Sequence, residues 1–201
     1  MGKGRLEAFS DGVIAVIITI MVLELKAPHG TDLAALAPLA PALLTYVLSF
    51  VFVGIYWNNH HHMLHAAQHI DGRVLWANLH LLFWLSLVPF TTGWVGDYPA
   101  AAIPTAIYGG VFLMAGVAWL LLQDALVRRN GPDSLLARAV GRDPKGKLSA
   151  LLYASAILLA FVKAWIADAL YVLVALMWFV PDRRIERSID PIRDTGPHTT
   201  L

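Results

Sequence analysis

Arg5-Leu6-Glu7-Ala8-Phe9-Ser10-Asp11 runs directly into Gly12-Val13-Ile14-Ala15-Val16-Ile17-Ile18-Thr19-Ile20-Met21-Val22-Leu23, and the second stretch carries no charge. At 1.5 Å per residue, a helix over 6–25 is about 30 Å long, the thickness of a bilayer's hydrocarbon core. The stretch therefore reads as a membrane span. Working outward, five further apolar runs follow at 39–63, 74–95, 104–126, 148–163 and 167–180. The composition agrees. Hydrophobic residues make up 58% of the 201 positions and charged residues 14%, whereas soluble domains carry about a quarter charged residues. Mean hydropathy is +0.62. The expected fold class is all-α: a polytopic membrane protein with six transmembrane helices in one domain over 1–182, then a polar cytoplasmic tail over 183–201.

Prolines mark the ends of these runs. Pro28, Pro38 and Pro41 flank the first connection, Pro99 and Pro104 the third, and Pro181 closes the last span. Pro89 lies inside the third span and predicts a kink there. A single helix over 148–180 would be about 50 Å long, too long for one crossing. The polar break at Lys163 and Asp168 is the expected turn between two short helices.

Loop cations set the orientation. Lys3 and Arg5 precede the first span, and Arg73 lies in the second connection. Arg128, Arg129, Arg138, Arg142, Lys145 and Lys147 lie in the fourth, and Arg183, Arg184, Arg187 and Arg193 in the tail. The alternate connections, near Lys26 and Asp32, near Asp97 and near Lys163, are poor in cations. By the positive-inside rule both ends are expected to be cytoplasmic, and the expected location is the cell (plasma) membrane. Five spans would put the arginine-rich tail outside. Glu7 and Asp11 interrupt what would otherwise resemble a signal-peptide n-region, so the first span is expected to remain in place.

Several functions are disfavoured at this level. The absence of cysteine excludes disulfides and thiolate metal sites. No Gly-rich phosphate loop, His-Glu-x-x-His zinc motif or Gly-x-Ser-x-Gly elbow occurs, so no enzyme and no cofactor are expected. The basic fourth connection lacks interleaved aromatics, which argues against nucleic acid.

Asp11 is the first informative polar group, because a carboxylate this close to a span interior is costly without a partner or a role. It can also be read as an ordinary helix-end polar group at the interface, with Ser10. Around it, Arg5-x-x-x-Phe9-Ser10-Asp11 resembles the signature of the transmembrane protein 175 potassium channel family. Tyr56-Trp57-Asn58-Asn59-His60-His61 resembles that family's Phe-Trp-x-x-His-His at the end of the second span. Asn78, Leu81-Leu82-Phe83 and Ser86-Leu87-Val88-Pro89-Phe90-Thr91 resemble its third-span pattern. The three motifs cover about the first half of the chain.

The resemblance implies a homotetrameric, potassium-permeable channel of six-span subunits, with K⁺ as the permeant ion and the first helix lining a central pore. It implies a hydrophobic constriction five residues beyond the motif aspartate, then a threonine layer and a second apolar layer. These fall on Val16, Thr19 and Leu23. Valine stands where leucine or isoleucine is usual, so the ring at Val16 is wider or the tightest point lies at Leu23. The motif residues Arg5, Phe9, Ser10, Asp11, Trp57, His60, His61 and Asn78 are implied to form a structural network.

Helix geometry tests this independently. Gly12, Val16, Thr19 and Leu23 follow spacings of four, three and four, so they share one face. Asp11 lies roughly 140° around from Val16, which places it in a packing network and not in a coordinating ring. The same stripe on any membrane helix could simply face lipid.

His60, His61, His62, His65 and His69 form the other conspicuous cluster. His61, His65 and His69 recur every four residues and could share a transition metal, giving an alternative function as a metal or proton-coupled transporter. The preferred reading is interfacial histidines, one or two bonded to the Asp11 network, because only Asp71 supplies a nearby carboxylate. Asn78, His80 and Trp84 need partners within lipid and are expected to bond between helices. Thr45 and Ser49 are expected to bond their own helix backbone, and Trp94, Tyr98 and Trp178 to anchor at the interfaces.

Overall fold

The computed structural model describes residues 2–134, 136–137 and 144–179, and every long element among them is a helix. Helix α1 spans Lys3–Leu23. A short 3₁₀ turn at Leu33–Leu39, capped where the Asp32 carboxylate accepts from the Ala35 N–H, leads into α2 at Ala40–Ala66. Asp71 caps α3, Gly72–Ser86, by accepting from the Val74 N–H at 3.0 Å. Helix α4 covers Val88–Asp97 and α5 covers Ala102–Asn130, closed by Gly131 at φ 93. Helices α6, Pro144–Ala160, and α7, Ala164–Phe179, complete the fold.

The third apolar run is broken where Pro89 predicts. Proline has no N–H to offer the preceding turn, so α3 ends at Ser86 and α4 restarts at Val88. Thr91 and Thr92 hydroxyls donate to the carbonyls of this break, Thr92 to Val88 at 2.7 Å. The turn after α6 falls at 161–163, at Lys163 as expected, but Asp168 sits inside α7 and takes no part in it.

Four helical stretches are long and apolar enough to cross a membrane: Lys3–Leu23, Leu33–Ala66, Gly72–Asp97 and Ala102–Asn130. Helices α6 and α7 have 17 and 16 residues, about 25 Å each, slightly short of a hydrocarbon core. Their interior contacts are made by small side chains: Ala115 and Ala118 on α5, Ala156 and Ala160 on α6, and Ala167 on α7 are buried. Small residues let apolar helices approach closely where no hydrophobic drive from water exists. Phe52, Phe112, Tyr108, Tyr153 and Tyr171 fill the space between α2, α5, α6 and α7, with neighbouring rings 4.6 to 6.2 Å apart. Large apolar side chains also cover the outside, Leu44, Leu158 and Trp165 among them. That outer surface suits lipid.

Charge separates along the bundle. Lys3 Nζ donates to the His65 carbonyl at 3.0 Å, and Asn130 bonds the backbone of Gln68 and His69. Arg129 stands 3.9 Å from Asp71. These contacts gather the start of α1, the α2–α3 connection and the end of α5 at one end. At the other, Lys26 bonds both oxygens of Asp97, at 2.9 and 3.1 Å, and that carboxylate raises the Lys26 ammonium above its usual value. Arg138, Arg142, Pro181, the tail 183–201 with its arginines, and both chain ends lie outside the described residues.

Candidate functional site

Helix α1 buries one stripe and bares another. Leu6, Ser10, Ile14, Ile17 and Met21 recur every three or four residues and are its buried residues. They face α2, α3 and α4. At 100° per residue, the stripe Gly12, Val16, Thr19 and Leu23 is centred roughly 150° away from them. Val16 is 54% exposed and Leu23 79%, whereas Ser10 and Met21 are fully covered; Gly12 and Thr19 are exposed as well. The predicted stripe is thus the middle of the helix's uncovered arc. Thr19 donates its hydroxyl proton to the Val16 carbonyl at 2.9 Å, which leaves its oxygen lone pairs turned outward to accept. Beside this stripe an open groove of about 1150 Å³ runs between α1 and the α3–α4 run, lined by Phe9, Val13 and Ile20 on one side and Pro89, Phe90 and Trp94 on the other.

Two separate polar chains hold the N-terminal half of α1. In the first, Asn78 Nδ2 donates to Ser10 Oγ at 2.9 Å, and Asn78 Oδ1 pairs with His60 Nε2 at 2.7 Å. All three side chains are buried, and an acceptor oxygen facing His60 Nε2 makes that nitrogen the protonated one. In the second, Trp57 Nε1 donates to Asp11 Oδ1 at 3.0 Å. Trp57 then stacks on His61 at 6.1 Å, and His61 on His65 at 6.2 Å. Of the motif residues, Ser10, Asn78 and His60 come together, as do Asp11, Trp57 and His61. Arg5 and Phe9 join neither chain. The Arg5 side chain is exposed, with no partner among the described residues, and Phe9 lies on the rim of the groove.

The remaining polar groups are mostly satisfied locally. Trp84 donates to His80 at 2.9 Å, one turn away on α3, not between helices. Thr45 bonds the Pro41 carbonyl as expected. Ser49 does not bond its own helix; its hydroxyl meets the Tyr108 hydroxyl at 3.0 Å and the Thr92 hydroxyl at 2.8 Å. Its period on α2 allowed either partner, and only the placement of α4 and α5 decides. Trp178 is tied inward, donating to Ser149 at 2.8 Å. Among the described residues, no three His, Asp or Glu side chains converge to hold a metal ion.

Long apolar helices, an apolar exterior and internally paired polar groups define a polytopic α-helical membrane protein. Its kinship is specific. A protein of Chryseobacterium sp. named a potassium channel is 49% identical, over 94% of this chain and 98% of its own. A potassium channel of Streptomyces collinus is 32% identical, over 88% of this chain and 91% of its own. A crystal structure described as a lysosomal potassium-selective channel TMEM175 homolog from Chamaesiphon minutus matches with a TM-score of 0.74 and 28% identity, covering 93% of this chain and 98% of that one. The family model described as endosomal/lysosomal potassium channel TMEM175 matches residues 5–89, a range that holds all three sequence motifs. The chain belongs to the TMEM175 family.

Proposed function

We propose that this chain is the subunit of a homotetrameric, potassium-permeable channel in the plasma membrane, crossing six times with both ends cytoplasmic. The first helix of each copy lines the central pore. The observation that carries the reading is the bare stripe of Gly12, Val16, Thr19 and Leu23, in the middle of the exposed arc of a helix whose opposite side is packed and hydrogen-bonded. The names of two relatives matched over nearly their whole length, both potassium channels, point the same way.

In a fourfold assembly, Val16 and Leu23 form apolar rings separated by a ring of Thr19 oxygens. An ion in an apolar ring gives up hydration without gaining ligands, so ring radius and wetting set the flux. Thr19 offers the one side-chain oxygen on the stripe, turned outward by its bond to the Val16 carbonyl. The small Gly12 leaves the cytoplasmic entrance wide. Ser10–Asn78–His60 and Asp11–Trp57 hold α1 at a fixed rotation, so that this stripe and no other meets the axis. The apolar groove between α1 and α4 is the surface against which a neighbouring copy packs.

The test is purified full-length protein in a planar bilayer with potassium on one side and sodium on the other. A current that reverses toward the potassium equilibrium potential is expected. Absence of current, or a flux that requires a proton or metal gradient, contradicts the reading.

A further inference from the structure

On the side of the bundle formed by α2, α5, α6 and α7, a partly open cavity of about 60 Å³ is walled by Phe52, Leu113, Trp119 and Tyr153, with the exposed Val117 and Leu120 at its margin. A single water needs roughly 10–15 Å³ on the same measure, so the space admits a group of several heavy atoms. One end is closed by satisfied polar groups: Trp178 donates to Ser149, and Ser149 donates to the Lys145 carbonyl at 2.9 Å. The other end is different. The Tyr56 hydroxyl and the Asn59 carboxamide, three residues apart on α2, both line the cavity. Neither has a hydrogen-bond partner among the described residues.

We propose that this cavity is a binding site for a small uncharged amphiphile, with the chemistry of a phenol or short alcohol. Its hydroxyl would bond Tyr56 and Asn59, and its apolar body would lie against Phe52, Trp119 and Tyr153. Water alone fits poorly, because an ordered buried water needs two to four polar partners and most of this wall offers none. A charged head fits poorly too, since no ionisable acid or base lines the cavity. Aromatic walls with a few convergent polar groups are what small-molecule sites generally present. Gly116 lines the space, and a Cβ there would meet only the Tyr56 hydroxyl, at 3.9 Å, and no backbone. Tyr56 and Asn59 each precede a residue of the polar chains on α1, Trp57 and His60. Occupancy therefore acts on the same turn of α2 that sets the rotation of α1.

The test is titration of full-length protein in nanodiscs with 4-bromophenol, read by heavy-atom quenching of tryptophan fluorescence above the linear partition background. A saturable component is expected, weakened about fivefold to tenfold by Tyr56→Phe, as for loss of one hydrogen bond. Gly116→Val, which fills the cavity, should abolish it while leaving the melting temperature within a few degrees of wild type. Purely linear quenching, or saturation unchanged in Gly116→Val, overturns the proposal. Should Gly116→Val fail to assemble, the Tyr56→Phe arm decides, and unchanged affinity there overturns it equally. The measurement is independent of ion conduction, so a channel without this site and a site without a channel give different results.

Discussion

Asn78 Nδ2 donates to the Ser10 hydroxyl at 2.9 Å, across 68 residues of sequence, and so fastens α1 to α3 in a part of the fold that water does not reach. Its other end bonds His60 on α2. One carboxamide therefore ties three helices, and its loss leaves two buried partners unsatisfied. Asn78→Leu is expected to destabilise the subunit by about 2–4 kcal/mol, one desolvation penalty for each orphaned group. Thermal unfolding in detergent reads this directly. An unshifted transition would mean that the buried pair adds nothing to the fold.

Asp11 is held differently. It is half-buried and takes one hydrogen bond, from Trp57, at 3.0 Å. A charge-assisted bond of this kind contributes about 1.5–3 kcal/mol. Asp11→Ala is expected to cost about that much and to lower the yield of the proposed tetramer more than it alters ion preference. Trp57→Phe should reproduce most of the loss. An intact, fully expressed Asp11→Ala tetramer with altered potassium preference would instead place this carboxylate on the pore.

The exposed histidines are expected to be dispensable. His61 stacks on Trp57 and His65 on His61, but they close no metal site among the described residues. Replacing His62, His65 and His69 together with glutamine should leave conductance within about twofold of wild type, because none of the three bonds the side chains that hold α1. Abolished transport, or a stoichiometric transition metal lost with these residues, would promote the transporter reading.

Parts of this were readable along the chain, and the pattern of success has a physical cause. Pro89 announced the α3–α4 break because a missing N–H acts locally. Val16, Thr19 and Leu23 were implied by the family resemblance, and helix period added only that they share a face with Gly12; it could not say that α1 buries the opposite side. Asn78 was recognisable as needing a partner in an apolar run, but which partner depended on how three helices rotate. The same limit hid the Ser49–Tyr108–Thr92 bonds, which span α2, α4 and α5. It also joined Arg5 to a network that the folded subunit leaves without it. The cavity beside Tyr56 had no sequence signal except a glycine at 116 and a tyrosine and asparagine three apart.

Topology has its own check. The loop cations predict Asp97 outside and Pro132 inside. Within the fold, Asp97 and Lys26 pair at one end of the bundle, while Lys3, Arg73 and Arg129 lie at the other. Reporter fusions at Asp97 and Pro132 should read oppositely, outside and inside. The reversed pattern would overturn the orientation.

The bare face of α1 is tested most directly by single-channel recording of four variants in symmetrical potassium, then with sodium replacing potassium on one side. Val16→Ala should widen and wet its ring, raising conductance and lowering preference for potassium. Leu23→Ala should do the same if the tightest ring lies there. Thr19→Val should lower conductance by removing the outward-turned oxygen. Ile18→Ala is the control, since Ile18 is partly buried and packs against the core, away from the stripe; its conductance and preference should match wild type. Equal and small effects in all four, or an Ile18→Ala change as large as that of Val16→Ala, would contradict a pore lined by this helix.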